Sequence, residues 1–180
     1  MQSNQTSINY GLIGGMAAIA LGLLYYLLNV RGYITYGVWF SYLALAATMV
    51  MAAKAVRSEQ DGYLEFREGL KVTFLVWVIG SAILALFTYI LFNFIDTGLA
   101  DVQREVVTEM MEKFMASADE QTVDMFNEAM EEQGFGLDFT KAIMGYLLGL
   151  IFPGFIIALI ASLVLQRKRP LEMPGEETTV

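Results

Sequence analysis

Residues 72–95 read VTFLVWVIGSAILALFTYILFNFI, with no Asp, Glu, Lys or Arg anywhere in the run. A helix of about 20 such residues crosses the ~30 Å hydrocarbon core of a bilayer. No water is present there to satisfy bare amides, so a spanning chain must be helical or part of a closed barrel. A barrel strand alternates apolar and polar residues, and this run does not. Three further stretches have the same character: Tyr10–Leu28, Tyr33–Ala53 and Ala142–Leu165. The sequence therefore predicts an all-α integral membrane protein, with four transmembrane helices in a bundle and an extramembrane amphipathic helical hairpin between spans three and four. The first three spans fall in 1–95, the acidic hairpin in 96–138, the fourth span with a basic stop in 139–169, and a flexible cytoplasmic tail in 170–180.

The first run reads as a permanent span and not as a cleaved leader. Met1–Asn9 has no Lys or Arg, so the basic n-region of a signal peptide is missing, and the run is long for its apolar region. Ala18-Ile19-Ala20 has the small-x-small look of a cleavage site but lies inside the apolar run.

Composition excludes chemistry more than it suggests any. The chain has no cysteine, which removes disulfides, thiolate catalysis and iron–sulfur ligation. It has no histidine either, so the commonest metal ligand and the usual general base at neutral pH are missing. Within the spans the polar side chains are Ser41, Thr48, Thr73, Ser81, Thr88, Ser162 and several tyrosines. Pumps and intramembrane proteases place ionisable groups in the bilayer; these spans offer hydroxyls, which commonly bond their own or a neighbouring backbone. No enzyme, cofactor or nucleic-acid partner is expected.

Basic residues orient the chain. Lys54, Arg57, Arg67 and Lys71 lie between spans two and three, and Arg167, Lys168 and Arg169 follow span four. The other side has Arg31, Arg104, Lys113 and Lys141. The excess of Lys and Arg in short cytoplasmic loops predicts both termini inside.

Asp96–Asp138 carries twelve acidic and two basic residues, against a net charge of −8 for the whole chain. Leu99, Val102, Val106, Met110 and Phe114 recur at three- and four-residue steps and mark one helix face. Asp101, Glu105, Glu109 and Glu112 lie on the opposite face. A capping box, Ser117 to Glu120, opens a second helix with the apolar stripe Val123, Phe126 and Met130. Gly134 and Gly136 supply its end, since glycine accepts the left-handed conformation. Carboxylates four apart repel by a few tenths of a kcal/mol per pair. A divalent cation or a basic partner bridging Asp101, Glu105, Glu109 and Glu112 with Glu120, Asp124, Glu128 and Glu131 would offset that cost. A plainly solvated face is the more economical reading. Nothing here matches an EF-hand loop, and a carboxylate di-iron site would want histidine. Five of the eleven methionines, Met110, Met111, Met115, Met125 and Met130, fall in this segment and read as gap-fillers of a small core.

Small residues line the first and last spans. Gly11, Gly14, Gly15, Ala18 and Gly22 mark the first; Gly145, Gly149, Gly154 and Ala158 mark the fourth. Small side chains let helix backbones approach closely, either within one chain or against another. Pro153 predicts a kink in span four, because it cannot donate to the helical ladder.

Taken in order, these features resemble a bacterial family of small four-span membrane proteins known as domain of unknown function 4199. The resemblance rests on Tyr10-Gly11-Leu12-Ile13-Gly14-Gly15 opening span one and Gly62-Tyr63-Leu64-Glu65-Phe66-Arg67-Glu68-Gly69-Leu70-Lys71 leading into span three. Asn93-Phe94-Ile95-Asp96 then closes span three, and an acidic insert and a basic stop follow. It implies a bacterial inner-membrane location and assigns no activity and no functional residue. The leading functional expectation is a non-enzymatic accessory or scaffold subunit that associates with other membrane proteins; a homo-oligomer would favour the alternative. The alternative is an oligomeric passive channel or small-solute transporter, whose acidic outer vestibule would concentrate cations.

Overall fold

A computed structural model of the chain describes residues 2–115, 124–125, 134 and 136–167. In chain order its main elements are α1 (Gln2–Leu28), α2 (Val30–Glu59), α3 (Phe66–Ile95), α4 (Leu99–Met115) and α5 (Phe139–Leu165). α1, α2, α3 and α5 are each long and apolar enough to cross a membrane; α4 lies outside them. The described residues contain no strand beyond a single antiparallel pairing of Leu64 with Arg167. The helices run past the apolar cores read from sequence, α2 through Lys54 and Arg57 and α3 from Phe66. A helical backbone satisfies its own amides in the headgroup region as well as in hydrocarbon, so charge alone does not end it.

Local chemistry sets the turns. Asn29 is extended (φ −158, ψ 100), and its side-chain oxygen accepts from the Gly32 amide at 2.8 Å. It thus closes α1 and caps α2 in one residue, as asparagine at an N-cap does. After α2, Asp61 and Gly62 take positive φ (55 and 85), and the Gly62 amide donates to the Arg57 carbonyl at 2.9 Å. This left-handed closure is the one glycine favours.

α1 is the hub, packed along both α2 and α3. Its glycines make this possible. A Cβ on Gly11 would stand 2.8 Å from Ile79 Cβ, and one on Gly15 3.0 Å from Ile83 Cβ; Gly14 sits against Thr48. Lipid tails are as apolar as leucine, so association in the bilayer rests on such close packing and on interhelical hydrogen bonds. The buried core is Leu45, Met49, Leu64, Val72, Val76 and Trp77, with Ala18, Ala52, Ala53 and Ala158 where helices touch.

Buried hydroxyls are spent on backbone carbonyls. Ser41 donates to Ala18 O at 3.2 Å and Ser81 to Trp77 O at 2.6 Å. Thr73 Oγ1 lies 2.9 Å from Gly69 O, 3.2 Å from Ala158 O and 3.2 Å from Ser162 Oγ, joining α3 to α5.

α5 breaks in its middle as Pro153 predicts. Phe152 is extended (φ −140, ψ 116), and the Phe152–Pro153 bond is cis. In an unbroken α-helix the amide of residue 153 would serve the Gly149 carbonyl, and proline has none. Trp77 Nε1 donates to that carbonyl at 3.1 Å. Gly154 lets the indole in: any Cβ there would collide with Trp77 Nε1 and Cδ1.

At one end of the bundle, Leu64 and Arg167 exchange backbone hydrogen bonds of 3.0 and 2.8 Å. Thr6 donates to Glu59 at 3.2 Å and Gln60 to Glu68 at 2.6 Å. The segment leading into span three is therefore a clasp on the far end of α5. Arg31, α4 and the start of α5 gather at the other end.

Candidate functional site

The acidic helix is fastened to the bundle along one face. Leu99 is 0% exposed and Val106 6%, so the apolar stripe read from sequence docks onto the start of α2. It leaves the bundle by Met110, which is 57% exposed. Asp101, Glu105, Glu109 and Glu112 are exposed on the opposite side.

Arg31 meets that face from the α1–α2 turn. Its guanidinium pairs with Glu109 and stands 3.7 Å from Glu105, while Lys113 Nζ lies 3.2 Å from Glu109. Two of the four carboxylates thus have a cation of the same chain beside them. Pairs this exposed contribute ~0–1 kcal/mol each, so they orient α4 more than they stabilise the fold. Sequence reading counted Arg31 only as a loop charge, since contact between residues 31 and 109 has no signature in spacing.

Other polar contacts secure the same end. Tyr26 donates to Asp96 at 2.7 Å, and Asp96 accepts from the Gly98 amide at 3.1 Å. Asn93 Nδ2 donates to the Leu137 carbonyl at 2.7 Å, and Gln103 accepts from the Gly136 amide at 3.2 Å. Asp138 caps α5, accepting from the Lys141 amide at 2.8 Å. That amide, with the nearby Lys141 charge, holds the Asp138 carboxyl below the ordinary carboxylate range.

α5 packs unevenly. Its C-terminal half buries Ala158, Ala161 and Ser162, whereas Phe139–Gly149 has no buried residue. α2 contacts the C-terminal half and parts from the N-terminal one, leaving a cleft of about 230 Å³. Tyr42, Trp77, Ser81, Lys141, Gly145, Tyr146 and Gly149 are among its walls. A second hollow of about 220 Å³ adjoins it through Val38, Leu84, Thr88 and Leu137 and reaches up to Gln103. Nothing in the sequence pattern pointed to this cleft, because it arises from the divergence of two helices.

The remaining sequence candidates divide as follows. Gly11, Gly14, Gly15, Ala18 and Gly22 are buried within the chain's own helix contacts. Gly149 lies beside the Tyr42 hydroxyl, Gly154 under Trp77, and Ala158 is fully buried. A Cβ on Gly145 would have no atom within 4 Å. Asp124 is helical and exposed, whereas Glu120, Glu128 and Glu131 lie outside the described residues, as does the rest of the segment expected to form the hairpin's second helix. Gly134 and Gly136 have φ of 61 and 94. Among the described residues, no three carboxylates converge closely enough to hold a metal ion.

A family model described as a protein of unknown function, DUF4199, matches residues 9–167. No curated protein and no solved structure matches the chain.

Proposed function

We propose a role for this chain, which belongs to the DUF4199 family of proteins of unknown function: a non-enzymatic accessory or scaffold subunit of a bacterial inner membrane. Its termini are cytoplasmic and α4 faces the periplasm, the orientation favoured by Lys54, Arg57, Arg67, Lys71 and Arg167 at the end bearing the termini.

The reading is carried by the way α4 is held. A helix that served only to keep the protein soluble would need no fixed direction. α4 instead docks by Leu99 and Val106 and is clamped by Arg31, with Asp101 and Glu112 turned outward. A charged face in a fixed orientation suits a basic surface on a neighbouring membrane protein, where charge complementarity sets partner choice and approach rate. The channel reading stands second: the described core is filled by Leu45, Met49 and Trp77 and its buried hydroxyls are bonded to the backbone, so a pore would have to form between copies.

The test is affinity purification from native membranes in mild detergent, with mass spectrometry of what co-purifies. A stoichiometric membrane partner, lost in the Asp101→Lys/Glu112→Lys double variant, supports the reading. Recovery of the chain alone, or only as copies of itself, overturns it and directs effort to flux in liposomes.

A further inference from the structure

We infer that the cleft between α2, α3 and the N-terminal half of α5 is a binding site for one acyl chain of a phospholipid from the leaflet on the α4 side.

Place, access, polarity and size argue for that occupant. The cleft lies within the membrane-spanning parts of three helices and opens where α2 and the N-terminal half of α5 part, so it faces hydrocarbon. Its aqueous end is roofed: Leu137 is held over it by Asn93, and Gln103 is tied to Gly136. Among the described residues this end is covered, and a lipid tail enters sideways.

The wall is mainly apolar, and apart from Lys141 and the Tyr42 hydroxyl its polar side chains are bonded to backbone. Ser81 donates to Trp77 O at 2.6 Å, Tyr146 to Val78 O at 3.2 Å, and the Trp77 indole to Gly149 O at 3.1 Å. A buried water needs two to four polar partners, and away from Lys141 the wall offers it chiefly the Tyr42 hydroxyl. A partner helix, ~10–12 Å across with its side chains, exceeds a hollow of about 230 Å³. A flexible alkyl chain fits both the shape and the chemistry. With the adjoining hollow of about 220 Å³, the space falls in the ~300–1,000 Å³ range of small-ligand sites.

The two tryptophans make this testable. Trp39 is 59% exposed on the outer surface, whereas Trp77, 0% exposed, borders the cleft from behind Tyr42 and lies within the short quenching range of a bromine seated there. A Trp39→Phe protein, reconstituted in phosphatidylcholine vesicles whose acyl chains carry bromine, reports on Trp77 alone, since bromine quenches tryptophan by near contact. The expected result is clear quenching of Trp77 relative to unbrominated vesicles. Adding Gly145→Leu, which places a side chain in open space on the cleft wall, should weaken that quenching about twofold or more by filling the site. Ala142→Leu on the same wall should act in the same direction. Trp77 left unquenched in the Trp39→Phe protein overturns the inference. So does quenching that neither wall substitution changes, since bromine would then be reaching the indole by another face.

Discussion

Gly154→Ala tests the account of how span four is held together. The new Cβ would stand 2.5 Å from Trp77 Cδ1 and 2.7 Å from the Gly149 carbonyl oxygen. Neither neighbour can yield easily: Trp77 is fully buried, and the oxygen belongs to the backbone. Overpacking of this kind costs about 1–3 kcal/mol. If the indole retreats, its bond to Gly149 O is lost as well, worth ~0.6–2 kcal/mol between helices in a bilayer. The expected destabilisation is therefore about 2–4 kcal/mol. Gly145→Ala, nine residues earlier and in open space, should change stability by less than ~0.5 kcal/mol. The assay is reversible denaturant unfolding in detergent micelles, followed by helical circular dichroism. A double-mutant cycle sharpens it. In a Trp77→Phe background the offending nitrogen is gone, so Gly154→Ala should cost less there, with a coupling of ~0.5–3 kcal/mol. Equal cost for Gly154→Ala and Gly145→Ala, or strict additivity in the cycle, would refute the reasoning.

Four further outcomes are expected. Thr73→Val should destabilise the bundle by ~0.6–2 kcal/mol, while Ser162→Ala should cost less, because Thr73 keeps the Gly69 and Ala158 carbonyls as acceptors; denaturant unfolding ranks the two. Arg31→Gln should lower global stability by no more than ~1 kcal/mol yet speed amide exchange in Leu99–Lys113; unchanged exchange would count against the clamp. Asp138 has its folded pKa lowered, so its contribution is present above the unfolded carboxylate value of ~3.9 and is lost as pH falls through the folded value. Asp138→Asn, which keeps a capping oxygen, should flatten that acid-side loss in thermal unfolding. Finally, the chain has no cysteine, so single Glu112→Cys and Ser58→Cys variants can be labelled with a membrane-impermeant maleimide. Intact cells should label the first alone, and the reverse pattern would invert the topology.

Spans one to four were legible in the sequence because the bilayer imposes a length and a polarity that few other environments impose. The kink at Pro153 was legible for a similar reason, since a missing amide is a local fact. The first helix of the acidic segment could be read from the spacing of Leu99, Val102 and Val106, which records a face and not a partner. The glycines of span one told only that something approaches closely; whether that something was Ile79 and Ile83 of the same chain or a different protein depended on coordinates.

What the amino-acid order determined alone is therefore the membrane, the four spans, the break in span four and the acidic face, each a property of neighbours along the chain. Tertiary structure decided which groups meet: Arg31 with Glu105 and Glu109, Leu64 with Arg167, Thr73 with Ser162, and the Trp77 indole with the Gly149 carbonyl one turn before Pro153. It also decided the cleft, which exists because α2 follows one half of a broken helix and not the other. Such pairings join residues from about 70 to over 100 positions apart. No periodicity spans that distance, and only packing brings them together.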